Sequence, residues 1–154
     1  MKIEELKRIF CENLELLNKN AQWLLKSYEK AENIDFSKKE LTDEELEVLE
    51  TLSNRFGRTV DILINKVLRG LDLIELEDVS RKLDVVIRAE KRGFVRDYRI
   101  LIEIKDLRKE LVHEYIQENL KEKFKEVLEK TPILIEIVRK INEYSKRMNY
   151  CQYD

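Results

Sequence analysis

In the stretch DLRKELVHEY, residues 106–115, His113 falls five residues after Arg108 and two before Tyr115, and it is the one histidine of the chain. These residue types can do chemistry. A guanidinium stays charged at any working pH and holds anions, and an imidazole exchanges a proton near neutrality. The spacing is less simple. Five residues on a regular helix turn about 140°, so within one straight helix Arg108 and His113 do not aim at the same point. Two resolutions stay open: the helix is ending near His113, as the following YIQEN suggests, or two chains assemble the site. Tyr115 lies only about 20° around the helix from Arg108 and two turns along. Asp106, seven residues before His113, is on the histidine's side and could orient the imidazole; a solvated charge serves as well. His113 itself also reads as a helix-terminal histidine near carbonyls, and Tyr115 as an aromatic ending an apolar stripe.

Arg108 is the most informative oddity. Ile100, Leu101, Ile104, Leu107, Leu111 and Val112 make the apolar stripe of their helix, and Arg108 projects into its middle. A permanent charge there is costly unless it is paired or faces a solvated cleft. It can pair with one of 32 carboxylates, or snorkel to the surface. Asp61 flanks the stripe of an earlier helix and could reach a basic partner, although a solvated charge is its plainer reading. Arg55 and Arg58 are candidates for a cleft rim.

The elements that must carry these residues are helices. Ile3, Leu6, Phe10, Leu14, Leu17, Ala21, Leu24 and Tyr28 recur at three- and four-residue steps, which predicts a helix over 2–30. After the linker NIDFSKKEL, Thr42 with Glu45 forms a capping box opening a second helix. Leu46, Leu49, Leu52, Phe56, Val60, Leu63, Val67 and Leu71 give that helix its apolar face. Gly57 sits inside it, as a tolerated lapse costing about 1 kcal/mol or as the mark of a close helix crossing. A short third helix spans about 79–92, with Gly93 as a left-handed cap. Asp97 can cap a fourth helix starting at Tyr98, and Asn119 with Glu122 suggests the cap of a last one. Pro132 falls within that last helix without a change of apolar phase, which predicts a kink rather than a break. The expected architecture is a single all-α domain over 1–154: an up-and-down bundle of four main helices and one short one.

Bulk composition narrows the function classes. The chain is 40% charged and 43% hydrophobic, with three glycines and one proline, the make-up of long amphipathic helices. Thirty basic and 32 acidic residues nearly cancel, so no overall field recruits nucleic acid or anionic membrane and such binding must be local. Cys11 and Cys151, near opposite ends, form no metal or redox spacing, and two thiols in a reduced cytoplasmic protein are expected. Neither a signal peptide nor a membrane span is expected.

The stretch RKELVHEY fits the RxxxxHxY motif of HEPN-domain proteins, and the chain resembles in particular the HepT-like toxins encoded beside minimal nucleotidyltransferase antitoxins. RFGRTVDILINKVLRGL looks like the second helix of those proteins, and VVIRAEKRGFVRDYRILIEIKDLRKELVHEY like their segment leading into the motif; together the likeness covers about residues 45–120. An eight-residue motif with three fixed positions is weak alone and gains specificity from its helical context. The family usually has asparagine after the arginine, where this chain has Lys109. Lysine can still contact phosphate.

The resemblance implies a HEPN-like helical bundle and a homodimeric, metal-independent endoribonuclease, with Arg108 and His113 lining a cleft between protomers. It implies no cofactor. Tyr115 matches the tyrosine that the partner nucleotidyltransferase modifies with AMP, which silences the toxin. Metal-free RNA cleavage needs a base for the 2′-hydroxyl and an acid for the leaving oxygen. One histidine per chain cannot fill both roles, whereas a two-fold dimer supplies two. Arg108 would hold the scissile phosphate, with Lys109 and Asp61 contacting RNA or supporting it. Two other readings remain: a HEPN-like subunit that has lost catalysis and engages a nucleotidyltransferase, as Lys109 permits, and a helical bundle in which the motif is accidental.

Overall fold

A computed structural model describes residues 2–113 and 117–151, all of whose regular structure is helical. Helix α1 spans Ile3–Ala31 and helix α2 spans Asp43–Ile62. A π-helical segment, Leu63–Leu68, follows without a break and runs into α3, Arg69–Ile74. Helix α4 is Lys82–Lys91, α5 is Tyr98–His113 and α6 is Gln117–Met148. The continuous rod from α2 to α3 counts as one main helix, so the expected four main helices and a short one are present. Among the described residues no helix is long and apolar enough to cross a membrane.

The ends follow local chemistry. Thr42 Oγ1 accepts from Glu45 N at 3.1 Å while Glu45 Oε1 accepts from Thr42 N at 2.9 Å, the capping box read from the sequence. Asp97 Oδ1 accepts from Arg99 N at 2.9 Å and so caps α5. Gly93, at φ 84°, takes the left-handed position after α4, where only glycine is unstrained. Two boundaries shift. Helix α4 begins at Lys82, three residues after the expected Val79, and α6 begins at Gln117, not after an Asn119 cap. Helix α6 runs on through Pro132.

The core is where the predicted stripes meet. Phe10, Leu17 and Leu24 of α1 and Leu49, Leu52 and Phe56 of α2 are fully buried, as are Leu63, Val67 and Leu71 beyond them. Each such side chain contributes about 1.5–3 kcal/mol on burial. Helix α1 packs chiefly on α2, and α6 lies against both. Ile3, expected at the start of the α1 stripe, is 44% exposed, beyond the reach of the core.

A polar knot ties α3, α4 and the end of α6. Asp72, fully buried, accepts from Arg88 at 3.0 Å and Arg92 at 2.5 Å. Arg92 also bonds Glu75, whose second oxygen accepts from the hydroxyls of Tyr144 at 2.7 Å and Tyr150 at 2.8 Å. A buried carboxylate without these partners would carry a penalty of several kcal/mol, so the knot fixes how α4 sits on α3.

The cysteines correct the sequence reading. Cys11 and Cys151 form a disulfide, with Cα atoms 5.7 Å apart across 140 residues of sequence. Spacing along the chain carried no sign of it; the packing of α1 against α6 brings the two ends together.

Candidate functional site

Helix α5 lays the side chain of Arg108 against Gly57 of α2. A Cβ placed there would lie 2.7 Å from Arg108 Cδ and Nε and 2.8 Å from Cζ. The Arg108 side chain therefore fills the volume where any other residue at 57 would begin. Of the two readings of Gly57, the tolerated lapse gives way to a close approach, made by the Arg108 side chain of α5. That space lets the guanidinium lie against α2 and reach Asp61, one turn further on. Asp61 Oδ2 accepts from Arg108 Nε at 3.3 Å and from Nη2 at 3.1 Å. The side chains are 29% and 48% exposed respectively, so this pair contributes about 1 kcal/mol or less to stability. The charge in the apolar stripe is thus paired and also open to solvent. Asp61 does reach a basic partner.

A cavity of about 290 Å³ opens beside this pair. Val60, Asp61, Ile64 and Asn65 form one wall, from α2 and the π segment; Lys82 comes from α4; Lys105, Arg108, Lys109, Val112 and His113 come from α5. At about 100° per residue, Arg108 lies about 60° to one side of Lys105 and His113 about 80° to the other. The 140° divergence is the width of the wall that α5 presents. Arg108 and His113 stand at its two edges, with Lys105, Lys109 and Val112 between them. Residues 114–116, Tyr115 included, lie outside the described residues.

Four of the residues singled out from the sequence therefore share one cavity: Asp61, Arg108, Lys109 and His113. Others do not join it. Arg55 Nη1 donates to the Trp23 carbonyl at 3.0 Å and to Ser27 Oγ at 2.8 Å, turned toward α1. Neither Arg58 nor Asp106 lines the cavity. Val112, assigned to the apolar stripe, is 47% exposed on the cavity wall.

Three polar lining residues were missed. Lys105 precedes Arg108 by three residues and Lys109 by four, a spacing that places it on the same face. Lys82 belongs to another helix and Asn65 to the π segment, and no local pattern marks either. A π turn inserts extra backbone into a helix and recurs at functional sites; here it carries Ile64 and Asn65 to the cavity. The result is one carboxylate against Lys82, Lys105, Arg108 and Lys109, a local cationic pocket in a chain of net charge −2. Such a pocket attracts anions, and His113 stands at its edge.

No family model, curated protein or solved structure matches the chain.

Proposed function

We propose that this chain is a metal-independent endoribonuclease toxin of the HEPN/minimal nucleotidyltransferase type. It acts as a homodimer with a HEPN-like bundle, in the cytoplasm, and is silenced when a nucleotidyltransferase partner modifies Tyr115 with AMP. The observation that supports the reading is the convergence of Asp61, Arg108, Lys109 and His113 on one cavity, although Asp61 and His113 are far apart in sequence. In this reading Arg108 holds the scissile phosphate and stabilises its developing charge. His113 of one protomer takes the proton of the 2′-hydroxyl, whose oxygen attacks phosphorus. His113 of the second protomer protonates the departing 5′-oxygen as the phosphorus–oxygen bond breaks. Val112, an exposed apolar side chain on the cavity wall, suits burial against a second copy.

Expression of the wild type beside His113→Ala, followed by growth and total RNA, tests this. Growth arrest with RNA loss in the wild type alone is expected. If both grow normally with intact RNA, the toxin reading falls, and the catalytically inactive subunit that binds a nucleotidyltransferase takes its place.

A further inference from the structure

The cavity has more cationic length than one phosphate requires. Arg108, at one edge, has Asp61 as a partner, and between Arg108 and His113 the wall carries Lys105 and Lys109. Lys82 faces them from the start of α4. Among the described residues no carboxylate forms an ion pair with Lys82, Lys105 or Lys109. Elsewhere the surface pairs many of its cations, as Lys38 with Glu45, Lys130 with Glu103 and Arg139 with Glu136 show. Three lysine charges converging unpaired on one cavity repel each other by an amount that a bound anion removes.

Position along α5 sets Lys105 apart from Lys109, which adjoins Arg108. Lys105 lies one turn before Arg108, about 12 Å along the axis from His113 at 1.5 Å per residue. That is too long for one tetrahedral phosphate held between Arg108 and His113. Asn65, with an amide that both donates and accepts, lines the same space from the π segment.

Resting on the RNA-cleaving reading above, we propose that Lys82 and Lys105 hold a second phosphate of the same RNA strand, next to the one gripped by Arg108. The site then takes an internal stretch of single-stranded RNA rather than a mononucleotide. Each lysine acts as a point charge on the backbone, giving affinity without reading sequence.

The test uses a fluorescent single-stranded oligoribonucleotide and full-length His113→Ala protein, with the dissociation constant measured over a range of salt. The pair Lys82→Ala/Lys105→Ala should reduce the slope of log K against log salt by about 0.7, the value for one phosphate neutralised on a single strand. Arg108→Ala should reduce it by about 0.7, and Lys140→Ala, on a different surface, by nothing. Alanine is favourable in a helix, so the lysine variants keep their helical content. If the pair leaves the slope unchanged while Arg108→Ala lowers it, the second phosphate position is wrong and the cleavage reading stands. If the pair lowers the slope but the His113-bearing protein cleaves nothing, the phosphate position stands and the cleavage reading is wrong. Absence of any RNA binding overturns both.

Discussion

Arg108 lies across Gly57, its Cδ and Nε 2.7 Å from where a Cβ would be. Gly57→Ala must push aside a flexible side-chain end, not backbone, so the fold survives. The helix itself gains about 1 kcal/mol from alanine. What moves is the guanidinium, away from Asp61 and from its place in the cavity. Gly57→Ala should therefore unfold no more easily than the wild type in urea yet lose at least tenfold in RNA cleavage. Equal activity in the two proteins would mean that the close approach matters for packing alone.

The dimer is the second expectation. One His113 per chain and the exposed Val112 on the cavity wall both call for a second copy. Sedimentation at micromolar concentration should give twice the monomer mass, and Val112→Asp should shift the protein toward monomer with loss of cleavage. A wild-type monomer at that concentration would end the two-histidine mechanism.

Much of this was legible beforehand, and the reasons are specific. The Thr42–Glu45 capping box and the left-handed Gly93 are written in a few adjacent residues, where local geometry decides. Arg108 stood out because a charge in an apolar stripe demands a partner, and Asp61 is that partner. The π segment was not legible, because Leu63, Val67 and Leu71 keep an apolar spacing that an ordinary helix also satisfies. Val112 was misplaced for a related reason: a stripe tells which face is apolar, not how far along the neighbouring helix still covers it. Lys82 and Cys151 meet their neighbours only through tertiary packing, which no local pattern encodes.

That packing makes the Cys11–Cys151 bond testable. Closing 140 residues is worth about 5 kcal/mol in the chain-entropy model, and native disulfides typically contribute about 2–4 kcal/mol. Reductant should lower the melting temperature by roughly 5–15 °C, and Cys11→Ser should melt at the reduced value regardless of reductant. A wild-type melting temperature indifferent to reductant, with two free thiols by mass, would show that the bond does not form.

The tyrosine pair on Glu75 sets a pH window. Burial pushes the Glu75 carboxyl up, but hydrogen bonds from Tyr144 and Tyr150, with Arg92, outweigh it and hold the group below its ordinary 4.5. Its stabilisation is present above that value and lost as the pH falls through the folded one. Burial first, then Glu75, raises the Tyr144 and Tyr150 hydroxyls above 10.0. Their contribution is present below that value and lost as the pH rises through the folded ones. Tyr150→Phe should cost about 1.5–3 kcal/mol at neutral pH and flatten both limbs of a urea-midpoint profile. An unchanged profile would show that the Tyr150 hydroxyl does not couple to Glu75.

The central claim is that Arg108 and His113 form an RNA-cleaving site, and single-turnover cleavage of a single-stranded RNA oligonucleotide in the presence of a chelator tests it most directly. The wild type should cleave, while His113→Ala and Arg108→Ala should be slower by about 10²–10⁴-fold with the same helical circular dichroism. Cleavage by His113→Ala at the wild-type rate, or a wild type that the chelator silences, would contradict it.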